Sequence, residues 1–194
     1  VPEDQKGLVL TCTGRQSVPE GGFNEAWLVC GRRGGKSRIL ALIAVFLATF
    51  KDWTGHLAPG ERGTILILAT DRRQARTIMR YVKGLLENVP MLAAKIEKIG
   101  AEEIELAGRV NIEISAASFR TVRGYTVIAA LCDEIAFWRS DDSANPDREI
   151  LDALRPAMAT VPGSMLLCAS SPYARRGALW EAFQRWHGKD DTCL

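Results

Sequence analysis

Residues 27 to 37 read Trp27-Leu28-Val29-Cys30-Gly31-Arg32-Arg33-Gly34-Gly35-Lys36-Ser37, and an apolar run from Ile39 to Phe50 follows directly. A short apolar segment, a glycine-rich turn and an apolar stretch of helical length describe a buried strand passing through a tight loop into a helix. In that layout the glycines let successive backbone N–H groups close around phosphate oxygens, and the helix N-terminus adds the positive end of its dipole. Lys36 is then placed to reach the β and γ oxygens of a nucleoside triphosphate, and the Ser37 hydroxyl to ligate Mg²⁺. The phosphate-binding set is Gly31, Arg32, Arg33, Gly34, Gly35, Lys36 and Ser37. The strict pattern G-x-x-x-x-G-K-[ST] wants glycine at position 30, where this chain has Cys30. Arg32 and Arg33 occupy the loop itself, where a guanidinium either grips a phosphate bidentately or stays in solvent.

At 194 residues and 47% hydrophobic content, the chain has enough apolar material for one sizeable core and is read as one domain. A net charge of +2 excludes a polycation that holds nucleic acid by bulk charge, so any such binding must use local patches. The cysteines Cys12, Cys30, Cys132, Cys168 and Cys193 form an odd set without C-x-x-C spacing. They read as reduced core residues of a cytosolic protein, with neither a disulfide framework nor a zinc site. The Ile39 to Phe50 run, bounded by Arg38 and Lys51, is too short for a bilayer span of about 20 residues. No secretory signal is read, and the start at Val1 is taken as that of a fragment.

Apolar runs of strand length recur at Ala26 to Cys30, Thr64 to Ala69, Val127 to Cys132 and Met165 to Ala169. Helix-period stretches lie among them, the alternation of a mostly parallel sheet with helices on both faces. The helix from Lys36 to Phe50 is apolar nearly all round, as for one wedged between the sheet and its neighbours. Asp71 to Glu87 is amphipathic, with Ala75, Ile78, Met79, Val82, Leu85 and Leu86 on one face and Arg72, Arg76, Arg80 and Lys83 on the other. That basic stripe is a solvated face, a DNA contact or a subunit contact. Short alternating segments at Ile96 to Ile99, Glu103 to Leu106 and Val110 to Ile114, with Ala-Gly-Arg at a turn, predict an antiparallel hairpin appended to the sheet. The acidic stretch Ser140 to Asp147 reads as a loop that opens a helix from Arg148 to Leu154.

The segment Val127-Ile-Ala-Ala-Leu-Cys-Asp133-Glu134 ends an apolar strand in two carboxylates. A strand of this kind carries its last side chains to the carboxyl edge of the sheet, where open α/β folds bind ligands. Asp133 is placed to hold Mg²⁺ opposite Ser37, and Glu134 to polarise the water that attacks the γ-phosphate. A third strand, Met165 to Ala169, delivers Ser170, Ser171 and Pro172 to the same edge, where two hydroxyls can bond a γ-phosphate or that water. Hydrolysis also needs positive charge on the developing oxygen charges, and Arg32, Arg120 and Arg123 are the candidates.

Taken in order, Gly-Arg-Arg-Gly-Gly-Lys-Ser, Ala-Thr-Asp-Arg-Arg-Gln-Ala-Arg, Arg-Gly-Tyr, Leu-Cys-Asp-Glu-Ile-Ala-Phe-Trp and Ser-Ser-Pro resemble the ATPase domain of tailed-phage large terminase subunits across nearly the whole chain. The resemblance implies a P-loop NTPase fold of the RecA-like (ASCE) class, with a mostly parallel sheet flanked by helices. ATP and Mg²⁺ are the implied cofactors. It also implies a motor that drives double-stranded DNA through a portal protein into a capsid, working as a homo-oligomeric ring beside a small terminase subunit. Such a motor acts in the host cytoplasm, apart from any membrane and from the mature virion. Position by position, the family's phosphate loop falls on Gly31 to Ser37, its metal-binding acid on Asp133 and its catalytic glutamate on Glu134. Its coupling motif falls on Ser170, Ser171 and Pro172, a subunit-bridging arginine near Arg123, and the adenine-contacting glutamine on Gln16. Large terminases usually add a C-terminal nuclease, which 194 residues ending soon after Trp180-Glu181-Ala182-Phe183 do not hold.

Two other readings of the same motifs stand beside this one. A helicase-like translocase would share the core but need a second motor lobe with its own arginines. A module that binds nucleotide only to organise an assembly would have no use for a hydrolytic glutamate at Glu134.

Overall fold

The computed structural model describes residues 1–18, 20–118, 124–139, 143–190 and 193. In chain order the elements are α1 (Glu3–Thr13), β1 (Glu25–Val29), α2 (Lys36–Phe50), β2 (Gly63–Ala69), α3 (Arg72–Glu87), α4 (Pro90–Ala93), β3 (Ile96–Ile99), β4 (Glu103–Leu106), β5 (Val110–Ala116), β6 (Thr126–Asp133), α5 (Pro146–Met158), β7 (Met165–Ser170) and α6 (Ala178–Trp186). One seven-stranded sheet takes the order β1-β7-β6-β2-β5-β4-β3. The pairs from β1 to β5 are parallel, and only β4 and β3 join antiparallel.

The expected hairpin is therefore split in its allegiance. Its last strand, β5, is a full parallel neighbour of β2 as well as the antiparallel partner of β4. The three-residue turn between β4 and β5, Ala107 to Arg109, passes through Gly108 and Arg109 at positive φ (85° and 61°). Arg62 staples this edge by donating to Asn111 Oδ1 and to the Leu106 carbonyl.

Apolar side chains alternate to two cores because helices cover both faces of the sheet. Ile65, Ile67, Ile112, Ile114 and Leu131 meet α2 and α3 on one face. Leu66, Leu68, Val127, Ala130 and Cys168 meet α5 and α6 on the other. The alternation breaks once, in β6. Thr64 pairs with Val127 but Ile65 pairs with Ala129, so Ile128 is an extra residue in a β-bulge. Ile128 presses against β2 so closely that a Cβ on Gly63 would lie 2.8 Å from its Cγ2, which fixes glycine there. Beyond the bulge, Ala129 and Leu131 point to the α2/α3 face.

Two differences from the sequence reading have local causes. α2 buries Leu40, Ala41, Ala44, Val45, Leu47 and Ala48, but Ile39, Leu42, Phe46 and Phe50 stand outward, with the two phenylalanine rings stacked 5.7 Å apart. The helix packs on the sheet and α3 along one side only, so an all-apolar sequence leaves an apolar outer stripe. α5 runs from Pro146 to Met158, longer than the expected 148–154, because a proline suits the first turn and Ile150, Leu151, Leu154 and Met158 give it a buried face. The helix α1 has no buried residue, consistent with its lack of a sequence signature.

Of the cysteines expected in the core, Cys132, Cys168 and Cys193 are buried, whereas Cys12 is exposed and Cys30 partly so, since Cys12 lies on α1, which buries no residue, and Cys30 on the loop after β1. Among the described residues no helix is long and apolar enough to cross a membrane.

The two leucines one helical step apart should separate sharply in mutagenesis. Leu40→Ala is expected to lower the unfolding free energy by about 2–5 kcal/mol through the cavity it leaves. Leu42→Ala should change it by no more than about 0.5 kcal/mol. Chemical denaturation of both variants checks the pair, and equal losses would contradict the assigned helix face.

Candidate nucleotide site

Because β7 lies between β1 and β6 and all three run parallel, the segments leaving them meet at one carboxyl edge. The junction is tied by a backbone bond, Cys30 N–H to the Ser170 carbonyl, 3.1 Å. The loop after β1 turns through Arg33 at φ 62° and Gly35 at φ 80°, and Gly35 is the N-cap of α2 without any side-chain cap. The Arg38 N–H is taken by the Gly35 carbonyl at 3.0 Å, while among the described residues the Lys36 and Ser37 N–H groups are left for an external acceptor, the property that makes such a terminus an anion site.

Lys36 is 7% exposed, and its ammonium gathers the edge together. It lies 3.2 Å from the Gly31 carbonyl, 3.3 Å from the Cys30 carbonyl, 2.9 Å from Ser171 Oγ and 3.3 Å from Glu134 Oε1. Glu134 takes the left-handed conformation at φ 52°, uncommon for a residue with a side chain. Its carboxylate accepts from the Ser171 N–H at 2.8 Å and has the Ser170 and Ser171 hydroxyls at 3.2 and 3.3 Å. The turn is held from behind, where the Ser170 hydroxyl accepts from the Ala136 N–H and the buried Trp138 indole N–H donates to the Asp133 carbonyl at 3.0 Å.

Asp133 has no exposed surface, and it pairs in register with Ala169 on the row that faces α2 and α3. Its Oδ2 accepts from Ser37 Oγ at 3.2 Å and from Gln74 Nε2 at 2.9 Å. Its Oδ1 is buried and has no hydrogen-bond partner among the described residues. Burial pushes the Asp133 carboxyl above the ordinary aspartate range, helped by the nearby Glu134 charge and opposed by the Gln74 and Ser37 hydrogen bonds and Lys36. A buried, unpartnered carboxylate oxygen beside a serine hydroxyl fits the hard-oxygen ligand set of Mg²⁺, which commonly binds one or two carboxylates together with substrate phosphates. Among the described residues no cluster of three or more His, Cys, Asp or Glu could hold a metal alone, so the fit depends on nucleotide oxygens.

The sequence-derived residues Gly31, Gly34, Gly35, Lys36, Ser37, Asp133, Glu134, Ser170 and Ser171 come together here, and Pro172 follows directly. Arg32 and Arg33 are on the loop and exposed. Arg120 and Arg123 lie outside the described residues. Gln16 sits on an exposed bend after α1, with no hydrogen bond to the loop. The basic stripe of α3 is partly used internally, since Arg76 pairs with Glu102 at 3.1 Å and Lys83 donates to the Gly100 carbonyl at 2.8 Å. Gln74 is the site residue that the sequence reading missed. Its available signal was the spacing Asp71-x-x-Gln74 just past a strand end, a helix N-cap followed by glutamine at the third position.

One strand separating the phosphate-loop strand from the strand with the acidic pair places the chain in the RecA-like class of P-loop folds. Within that class it shares the fold of phage packaging ATPase domains. Against the HK97 bacteriophage large terminase the TM-score is 0.68 at 19% identity, over 100% of this chain and 38% of that one. Against the Thermus phage P74-26 large terminase ATPase domain it is 0.62 at 18% identity, over 90% of this chain and 72% of that one. The N-terminal domain of the bacteriophage phi29 DNA packaging ATPase gives 0.51 at 14% identity, over 84% and 81% of the two chains. No protein-family model and no curated protein matches the sequence.

Tyr125, two residues past Arg123, anchors this part of the chain to β5 by donating to Glu113 Oε1 at 2.6 Å. That hydrogen bond, with burial, pushes its phenol up to about 12. An ultraviolet titration should show one of the three tyrosines ionising near that value. In Glu113→Gln its transition is expected to fall toward the ordinary value of about 10.

Proposed function

We propose that this chain is the ATP-hydrolysing motor domain of a viral DNA-packaging large terminase, coupling MgATP hydrolysis to translocation of double-stranded DNA. The observation that carries the reading is the meeting of Lys36, Ser37, Asp133 with its unpartnered Oδ1, and Glu134 with Ser171 at one sheet edge, in a fold shared with three packaging ATPase domains. The chain spans 38% of the length of the HK97 large terminase, so a following nuclease domain, a portal, a small terminase subunit, a ring of copies and action inside the host cell all belong to this proposal.

The chemistry follows from the residues. The loop N–H groups and the α2 N-terminus take the phosphates, and Lys36 exchanges the Cys30 and Gly31 carbonyls for β and γ oxygens. Ser37 and Asp133 would hold Mg²⁺, which when bound neutralises charge on the β and γ oxygens. Glu134, fixed by the Ser171 N–H and the two hydroxyls, is the base that orients and polarises water. Ser170 and Ser171 touch both Glu134 and, through Ser171, Lys36, so a change at the γ-phosphate is felt by β7 directly. Arg32, exposed on the loop, and Arg123 are the candidates for the cation that meets the developing charge, in the same subunit or from a neighbour. A module that only binds nucleotide would not need a carboxylate held in a left-handed backbone on three donors.

Glu134→Gln should lower turnover by about 10²–10⁴-fold while nucleotide still binds, measured by phosphate release and by nucleotide fluorescence. Full turnover by that variant would sink the proposal.

Acidification gives a second check. Asp133 must lose its proton to ligate metal, and its pKa is raised, so metal-dependent nucleotide binding is complete above that pKa and weakens as pH falls through it. The expected loss is up to about tenfold in Mg²⁺ affinity per pH unit, beginning at a higher pH than an exposed aspartate would give. A metal-free series corrects for titration of the nucleotide itself.

A further inference from the structure

We propose that Gln74 is a positioning residue for the metal-binding carboxylate, holding Asp133 so that its Oδ1 alone faces the metal position; this rests on the nucleotide-site reading above. Asp71 caps α3 by accepting from the Gln74 N–H at 2.8 Å. In that spacing the glutamine side chain ordinarily folds back to the N–H of the capping residue. Here it leaves the cap. Its Oε1 accepts from the Thr70 hydroxyl at 2.7 Å, and its Nε2 donates to Asp133 Oδ2 at 2.9 Å.

The carboxylate itself settles which end of the amide faces it, since the Thr70 hydroxyl can bond either end. With the amide turned over, Oε1 would oppose Oδ2 and two acceptors would meet. In the orientation found, Gln74 and Ser37 both bond Oδ2, and Oδ1 is left buried without a partner. A carboxylate at the end of a strand keeps rotational freedom about its last bonds. Two donors on one oxygen remove that freedom before metal arrives, which is how partners behind a ligand raise metal affinity. Thr70 directly follows the end of β2 and Gln74 lies in the first turn of α3, so this support comes from the strand on the far side of β6 from β7.

Gln74→Leu keeps the bulk and removes the donor. The readout is fluorescence titration of mant-ADP against Mg²⁺, with a parallel series in EDTA. The Mg²⁺ concentration for half-maximal tightening is expected to rise about tenfold or more in the variant. Its metal-free affinity should stay within about twofold of the parent, an outcome that a merely structural role would not give. Mn²⁺ binding to the ADP complex, read by electron paramagnetic resonance, should weaken in step. Thr70→Val, which removes the second anchor of the amide, should shift the Mg²⁺ midpoint the same way by a smaller factor, and serves if Gln74→Leu does not fold.

Asp133→Ala separates the two levels of inference. If it abolishes the Mg²⁺ response while Gln74→Leu and Thr70→Val keep the parent midpoint, the role of Gln74 is overturned and the site stands. If Asp133→Ala leaves the Mg²⁺ response intact, the site reading itself fails, and Gln74 with it. Equal loss of metal-free and metal-dependent affinity in Gln74→Leu would make it a scaffold residue and overturn the proposal.

Discussion

Asp133 carries a carboxylate into a place with no water contact, where an ionised group costs several kcal/mol unless its oxygens are bonded. The fold meets that cost on one oxygen only. Ser37, from the first turn of α2, and Gln74, from the first turn of α3, both reach Oδ2, so the two helices on one face of the sheet are tied to the end of β6 through the same atom. Oδ1 is left bare, and burial holds the carboxyl above its usual pKa. A buried carboxylate with these properties makes the edge less stable than an apolar residue would, and a ligand bound to Oδ1 in the folded chain alone would offset that deficit.

The adjacent acid is treated differently by a single backbone torsion. Glu134 turns left-handed, so it leaves the row occupied by Asp133 and joins the serines of β7 and the Lys36 ammonium. Neighbouring residues in sequence therefore face different parts of one sheet edge, Asp133 on the α2 side and Glu134 beside β7. The arrangement requires β7 to lie between β1 and β6. Were β1 and β6 direct neighbours, no strand would deliver a hydroxyl pair between the lysine and the glutamate.

Much of this could be read from the sequence because its signals are local. The phosphate loop is a run of consecutive residues, and the acidic pair and the serine pair each end an apolar run of strand length, so strand identity and functional edge followed together. The outer stripe of α2 was not legible, since an all-apolar helix carries no mark of which side meets the sheet. α1 was missed because its residues bury nothing and so show no period. Gln74 was missed for a different reason. Its neighbours explain it fully as a helix-start residue, and its partner Asp133 is fifty-nine residues away. The direction of α3's basic face was read correctly, but its partners on the hairpin side, Glu102 and the Gly100 carbonyl, depend on tertiary placement that spacing does not encode.

The bulge at Ile128 gives β6 a rule of parity. Each residue beyond it keeps its face only while the count from bulge to strand end stays odd or even as it is, because successive side chains alternate. Removing Ile128 alone would leave Val127 opposite Thr64, Ala129 opposite Ile65 and Asp133 on its own face, whereas flattening the bulge with every residue kept would slide the rest of the strand by one and turn Asp133 to the α5/α6 side, away from both Ser37 and Gln74. Between Ala129 and Asp133, length changes of two residues preserve the face of the carboxylate, and changes of one invert it. The carboxylate is thus written at position 133, but its address is written five residues earlier, where Gly63 makes room for Ile128.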